Sequence, residues 1–239
     1  MSKRYRGLAF DFNGVLAPLD LHQVAAEAAY NAIADERGDE RYRLTKAEHA
    51  RATELGTELW SMTRGLLALR RIVPPDAPLD HPIVREVAAA KQLEYAKLTK
   101  DGIPPLPGMV GVVRWAQTRL HHPHAQGKLA QVSTSPLKEL RPFAIQNGLD
   151  FDVTIAKGDV GDRLKPDPYA YQLAAKQMGV DPGEAIAVED SIGGLQSAKA
   201  AGYFAVGLAL NNEDLGSTAD IVVSSPYELQ SALGMLLIA

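Results

Sequence analysis

Several residues that could take part in chemistry follow short apolar runs of the sequence or precede a helical window. They are Asp11 and Asn13, Ser133, Thr134 and Ser135, Lys165, and Glu189 and Asp190. Phosphoryl transfer needs these groups, because a carboxylate attacks phosphorus, oxygen ligands hold a divalent cation, and a lysine and a hydroxyl bind the phosphoryl oxygens. The residue types therefore predict such a site, provided that the fold brings them together.

The apolar runs predict the buried strands of a parallel sheet. They are short, are bounded by Gly, Pro, Ser or Asp, and lie at 7–10, 129–132, 153–155, 185–188, 204–208 and 221–223. Helical windows alternate with them at 109–120, 137–147, 168–179 and 192–201. This alternation predicts an α/β fold with a doubly wound parallel sheet. Ligands of such sheets bind beyond the carboxyl ends of the strands, so we expect the polar residues to meet at that edge.

The connection after the first strand is much longer than the others. Residues 22–35, 46–72 and 82–99 are predicted to be amphipathic helices, and clustered prolines separate and close them. We therefore expect an inserted α-helical cap domain at 17–107, and a core formed by 1–16 and 108–239.

Composition narrows the classes of partner. The chain has 239 residues and a net charge of −4, which gives no electrostatic reason to expect nucleic acid or an acidic membrane surface. No apolar stretch approaches the roughly 18 residues that a membrane helix needs. The chain has no cysteine, which excludes disulfides and thiolate chemistry and fits a cytoplasmic location.

Four segments, in this order, resemble the motifs of the haloacid dehalogenase superfamily. The first is Phe10-Asp11-Phe12-Asn13-Gly14-Val15, where the family usually has Asp-x-Asp-Gly followed by Thr or Val. The others are Ser133, Lys165 before Pro-Asp-Pro, and Glu189-Asp190-Ser191 with its following Gly-Gly pair. The chain is similar above all to β-phosphoglucomutase and related sugar-phosphate phosphatases, which have a Rossmann-like core and a helical cap between the first two motifs.

The resemblance implies a role for each matching residue. Asp11 would form an aspartyl-phosphate, and Mg²⁺ would be held by Asp11, the backbone carbonyl of Asn13, and Asp190. Glu189 would orient a metal-bound water. The phosphoryl group would be bound by Ser133 and Lys165, with Thr134 and Ser135 in the same turn, and a substrate phosphate by Arg64 of the pair Thr63-Arg64. The implied activity is a magnesium-dependent phosphatase of a small phosphorylated metabolite, working as a monomer or a homodimer.

Asn13 departs from the family pattern. The family's aspartate at this position protonates the leaving group and then deprotonates the attacking water, help that is worth about 10²–10⁴-fold. Asn13 therefore predicts slow turnover or a trapped phospho-aspartate. Three explanations are open: a slow native protein that uses another base such as Asp20 or His22, an engineered trap, or deamidation of the Asn13-Gly14 pair to aspartate.

Two other functions fit the same residues. One is a phosphoglucomutase-like transferase that uses the same intermediate, and the other is a phosphate-binding protein that has lost turnover. A dehalogenase proper is not expected, because that chemistry uses no metal and would not need the pair Glu189-Asp190.

Overall fold

A computed structural model describes residues 4–19, 21–45, 48–49, 59–210 and 214–237. The chain divides into two compact units. One comprises Met1–Pro18 and Gly102–Ala239, and the other is Leu19–Asp101. The second unit starts two residues later and ends six residues earlier than the insert predicted at 17–107.

The first unit is built on a six-stranded sheet in which every neighbouring pair is parallel, with the order β3-β2-β1-β4-β5-β6. The strands are β1 (Gly7–Phe10), β2 (Lys128–Val132), β3 (Val153–Ile155), β4 (Ala185–Glu189), β5 (Phe204–Leu208) and β6 (Ile221–Val223). This is the order of a doubly wound α/β fold, so the predicted fold class is confirmed.

Burial explains why the strand sequences are continuous apolar runs. Every residue of β1 and β4 is buried, as expected for central parallel strands with helices over both faces. In the pairing register, Phe10 lies beside Gln131 of β2 and Val188 of β4. The carboxyl ends of these three strands are therefore level, and the residues that follow them start at one edge of the sheet.

The helices are, in chain order, α1 (Leu21–Arg37), α2 (Leu59–Leu69), α3 (Pro82–Leu98), α4 (Met109–Leu120), α5 (Leu137–Gln146), α6 (Lys157–Val160), α7 (Tyr169–Met178), α8 (Ile192–Ala200) and α9 (Pro226–Leu236). The sequence patterns missed α6 and α9. Of the helix predicted at 46–72, the part at 59–69 is present, 70–72 are not helical, and 46–47 and 50–58 lie outside the described residues.

Helices α1, α2 and α3 form the second unit. Its buried core includes Tyr30 of α1, Leu67 of α2 and Val84 of α3. Over the described residues of both units, no helix is long and apolar enough to cross a membrane.

Side chains accept hydrogen bonds from backbone amides at the starts of two helices of the first unit. The hydroxyl of Ser191 accepts a hydrogen bond from the Gly194 amide at 3.2 Å and caps α8, directly after the end of β4. A carboxylate oxygen of Asp167 accepts from the Tyr169 amide at 2.8 Å at the start of α7. Asp190 and Lys165 lie in the short connections that precede these two helices.

Candidate active site

Asp11 is the first residue after β1, and the sheet continues to hold its backbone. Its amide donates to the carbonyl of Val188 at 3.0 Å, and its side chain is buried. The chain then turns sharply, because the Gly14 amide donates to the Ala17 carbonyl at 2.7 Å and Gly14 has a φ of +82°. The nucleophile predicted from the sequence therefore lies at the carboxyl edge of the sheet.

Three carboxylates come together at this edge. Asp11, Glu189 and Asp190 each offer an oxygen atom, and these oxygens all lie within 4.8 Å of one another. We call these three residues the acidic cluster. Oxygen atoms are the ligands that Mg²⁺, Ca²⁺ and Mn²⁺ prefer, so the acidic cluster could hold a metal ion.

Lys165 joins the acidic cluster from the connection before α7. Its ammonium donates to Asp11 Oδ1 at 2.5 Å, to Glu189 Oε1 at 2.6 Å and to the carbonyl of Val132 at 3.0 Å. Its side chain is 11% exposed, so these contacts are shielded from solvent. Removing the lysine would leave two buried carboxylates without this partner, which is a costly change.

The electrostatics of the cluster favour a further positive charge. Burial raises the pKa of Asp11 well above its ordinary value, although the ammonium of Lys165 opposes this. Burial alone would lower the pKa of Lys165, but Asp11 and Glu189 outweigh it and raise that pKa. The negative charges of Glu189 and Asp190 also raise the pKa of Asp11, so a cation bound beside these carboxylates would be stabilised.

Two glycines leave room for the carboxylates. A Cβ atom at Gly14 would overlap the carboxylate of Asp190, and one at Gly194 would overlap the carboxylate of Glu189. Any side chain at either position would therefore displace a member of the acidic cluster. Both glycines lie in segments that carry the family resemblance.

A chain of hydrogen bonds links Asn13 to the turn after β2. The side-chain amide of Asn13 donates to the Ser135 hydroxyl at 2.8 Å, and the Ser135 amide donates to the Ser133 hydroxyl at 3.0 Å. Ser133 and Ser135 are buried, and Thr134 between them is half-buried. These two hydrogen bonds hold the turn at Ser133–Ser135 beside Asn13.

Other predicted residues lie in the helical unit. Arg64 lies on α2 and is half-buried, and the preceding Thr63 is buried. His22 lies on α1, where its ring stacks on that of Tyr95 at 4.2 Å between centroids. Asp20, the other alternative base, lies outside the described residues. The roles of Arg64 and His22 stay predictions.

The sequence patterns did not single out Tyr171. This residue lies on α7 and is fully buried, and its hydroxyl donates to Glu189 Oε1 at 2.5 Å. Burial, followed by the negative charges of Glu189 and Asp11, raises its pKa well above the ordinary value, so the hydroxyl keeps its proton. In the sequence, Tyr171 looks like any aromatic residue in the core of a helix, and nothing there indicates that its hydroxyl contacts Glu189.

The geometry and the comparison with known families agree. The family model of haloacid dehalogenase-like hydrolases matches residues 5–202, which include β1 to β4 and the whole acidic cluster. The chain belongs to the haloacid dehalogenase-like hydrolases. The resemblance found in the four sequence motifs is therefore confirmed.

Curated relatives of this hydrolase family match along most of the chain. Protein CbbY of Cereibacter sphaeroides is 30% identical over 97% of both chains. Fructose-1-phosphate phosphatase YqaB of Escherichia coli is 29% identical over 88% of this chain and its own full length. A CBBY-like protein of Arabidopsis thaliana is 54% identical over 54% of this chain, but that match spans only 41% of the relative's length.

A solved structure of a hydrolase from this family shows a similar fold. CbbY from Rhodobacter sphaeroides, crystallised as an Asp-to-Asn variant in complex with xylulose 1,5-bisphosphate, superimposes with a TM-score of 0.67. The two sequences are 26% identical, and the match covers 94% of this chain and 96% of the other.

Proposed function

We propose that the chain is a magnesium-dependent phosphatase of small phosphorylated metabolites, which works through Asp11 and is slowed by Asn13. One observation carries the proposal: Asp11 lies at the carboxyl edge of the sheet with Lys165 in direct contact and two further carboxylates beside it. Family membership supports a phosphatase, and the contacts around Asp11 support this residue as its nucleophile.

The proposed reaction uses the side chains in two steps. An oxygen of Asp11 attacks phosphorus, and the bond between phosphorus and the substrate's ester oxygen breaks. The ammonium of Lys165 and the hydroxyl of Ser133 bind the phosphoryl oxygens and offset their charge. Water then attacks the phosphorus of the aspartyl-phosphate, which releases inorganic phosphate and restores the carboxylate of Asp11.

The acidic cluster fits Mg²⁺ by its ligand chemistry, because it brings three carboxylate oxygens within 4.8 Å of one another. Asp11, Asp190 and the backbone carbonyl of Asn13 would hold the ion, with Glu189 beside them. When bound, Mg²⁺ supplies positive charge that offsets the charge developing on the phosphoryl oxygens.

Asn13 weakens the proton transfers of both steps. An amide neither donates a proton to a leaving alkoxide nor accepts one from water, so solvent has to do so. The contact with Ser135 fixes the amide but does not give it acid–base capacity. This observation also favours the second candidate function, a protein that binds phosphate esters with little turnover.

The helical unit Leu19–Asp101 is proposed as the cap that selects the substrate. Arg64 on α2 is our candidate for binding a phosphate of the substrate. Because one relative is named as a fructose-1-phosphate phosphatase and another was crystallised with xylulose 1,5-bisphosphate, a phosphorylated sugar is the proposed substrate class.

The test is a phosphate-release assay on fructose 1-phosphate, xylulose 1,5-bisphosphate and a set of hexose phosphates, with Mg²⁺ or with EDTA. We expect slow, Mg²⁺-dependent release by the chain and faster release by Asn13→Asp. Asp11→Asn should be inactive, whereas the matched control Asp162→Asn, at an exposed position, should behave like the unsubstituted chain.

The outcomes separate the candidate functions. No release by either the chain or Asn13→Asp would overturn the phosphatase proposal. Binding of a sugar phosphate without release in both forms would support the second candidate. Conversion of one sugar phosphate into an isomer would identify a mutase, and equal release in EDTA would overturn the role of Mg²⁺.

A further inference from the structure

Glu189 receives two hydrogen bonds on the same oxygen atom. Lys165 donates to its Oε1 at 2.6 Å, and Tyr171 donates to the same atom at 2.5 Å. Lys165 lies before α7 and Tyr171 lies in the first turn of α7, six residues later, so one short piece of chain holds the carboxylate. Lys165 also lies over the ring of Tyr171, with its ammonium 5.2 Å from the ring centroid.

The carboxylate of Glu189 also packs closely against Gly194. The Cα of Gly194 lies so close that an added Cβ would overlap the Glu189 carboxyl group. Glu189 is the last residue of β4 and is almost completely buried, so its side chain has little room to reorient. The two donors and the close contact with Gly194 therefore restrict the position of the carboxylate.

Tyr171 is itself held in place by a second tyrosine. The hydroxyl of Tyr203 donates to the backbone carbonyl of Tyr171 at 3.0 Å, and the two rings pack edge to face with centroids 5.1 Å apart. Both tyrosines belong to the buried core beside the sheet. Tyr171 therefore presents its hydroxyl to Glu189 from a fixed support.

We propose that Tyr171 is a positioning residue, which acts through Glu189 to set the affinity of the acidic cluster for Mg²⁺. The inference rests on the proposed function, because it takes the acidic cluster as the Mg²⁺ site. A hydroxyl that donates to a carboxylate forms a charge-assisted hydrogen bond, which is stronger than a neutral one. Residues that orient the groups around a metal typically change metal affinity by about 10–100-fold when they are replaced.

The experiment measures Mg²⁺ binding by isothermal titration calorimetry, without substrate. Tyr171→Phe keeps the ring and removes only the hydroxyl, and we expect its Mg²⁺ affinity to fall by about 10–100-fold. Tyr42→Phe is the control, because it removes the hydroxyl of a buried tyrosine in the helical unit, where that hydroxyl accepts a hydrogen bond from Arg37. The control should keep the affinity of the unsubstituted chain, and thermal unfolding should show that both variants are folded.

A double substitution tests whether the tyrosine acts through Glu189. The variant with both Tyr171→Phe and Glu189→Gln should bind Mg²⁺ no more weakly than Glu189→Gln alone, since coupled residues give non-additive effects. Additive losses, unchanged affinity in Tyr171→Phe, or an equal loss in Tyr42→Phe would each overturn the positioning role. Absence of Mg²⁺ binding by the unsubstituted chain would instead overturn the metal site of the proposed function, and the inference with it.

Discussion

The side-chain amide of Asn13 donates a hydrogen bond of 2.8 Å to the hydroxyl of Ser135. This contact spans the distance between the turn after β1 and the turn after β2, on the edge of the sheet where the acidic cluster lies. It uses the amide as a donor, whereas an aspartate at position 13 would accept from the same hydroxyl. The Ser135 hydroxyl can form a hydrogen bond with either side chain, because it can rotate to donate or to accept.

The first prediction concerns turnover. Asn13→Asp should raise the rate constant for phosphate release by about 10²–10⁴-fold, because it supplies a general acid and base without disturbing the contact with Ser135. The measurement is kcat at saturating Mg²⁺ and sugar phosphate. Asn13→Ala, which loses the amide without gaining a carboxylate, should show no such increase. A rise in both variants would mean that Asn13 merely obstructs the site.

The second prediction is that Asn13 stays an amide. Deamidation requires the Gly14 backbone nitrogen to attack the Asn13 side chain, but that nitrogen donates to the Ala17 carbonyl at 2.7 Å and Ser135 holds the amide. Intact mass and peptide mapping of the folded chain, stored at neutral pH, should show unmodified Asn13. Aspartate or isoaspartate at this position in the folded chain would contradict the prediction, and the unfolded chain serves as the reactive control.

The third prediction compares two adjacent glycines of α8. Gly194→Ala should weaken Mg²⁺ binding and phosphate release, because the added methyl group overlaps the Glu189 carboxylate. Gly193→Ala meets no atom within 4 Å of its added Cβ, so it should keep both properties and stabilise the helix by up to about 1 kcal/mol. Calorimetric Mg²⁺ titration and thermal unfolding of both variants provide the comparison. Equal Mg²⁺ affinity in both variants would show that the glycine contact has no bearing on the site.

The fourth prediction concerns the pH dependence of stability in the helical unit. Burial, and next the charge of Lys91, lower the pKa of His22 to about 4 and that of His49 to about 3, and His49 Nε2 lies 2.8 Å from Lys91 Nζ. The unfolded chain protonates histidine near the ordinary value of 6.5. The neutral state of His22 and His49 in the folded chain therefore contributes stability above pH 6.5. This stability is lost as the pH falls from 6.5 towards 4.

Chemical denaturation between pH 4 and pH 8 checks this window. The free energy of unfolding should fall less steeply with decreasing pH in His49→Gln than in the unsubstituted chain. His124→Gln, at an exposed position, is the matched control and should follow the unsubstituted chain. A His49→Gln curve parallel to that of the unsubstituted chain would show that His49 titrates alike in both states.

Much of the fold follows from the sequence because central parallel strands are buried on both faces. Their short apolar runs, such as that of β4, are recognisable for this reason, and the alternation with helices predicts a doubly wound parallel sheet. The order of the strands was not predicted from the sequence. The one-turn helix α6 is too short to show a helical period. The C-terminal helix α9 was missed although Ser225 and Pro226 mark its start.

Part of the candidate site can also be predicted from the sequence, and part of it cannot. Asp11 and Asp190 were predicted to lie together because strand ends of a parallel sheet share an edge. Lys165 was predicted from its position before Pro-Asp-Pro at the start of a helix and from the family motif. The contact of Tyr171 with Glu189 depends on the direction of one side chain inside the core. A sequence pattern fixes which face of α7 is buried but does not give the partner of a buried hydroxyl.

The most direct test of the central claim is the detection of phosphate on Asp11. The chain should be incubated with Mg²⁺ and the sugar phosphate that it hydrolyses, then quenched in acid and mapped by mass spectrometry. Because we propose that Asn13 slows the release of the phosphoryl group, we expect a phosphorylated peptide that carries the modification on Asp11, less of it in Asn13→Asp, and none in Asp11→Asn. Phosphate on a different residue, or phosphate release that persists undiminished in Asp11→Asn, would contradict Asp11 as the nucleophile.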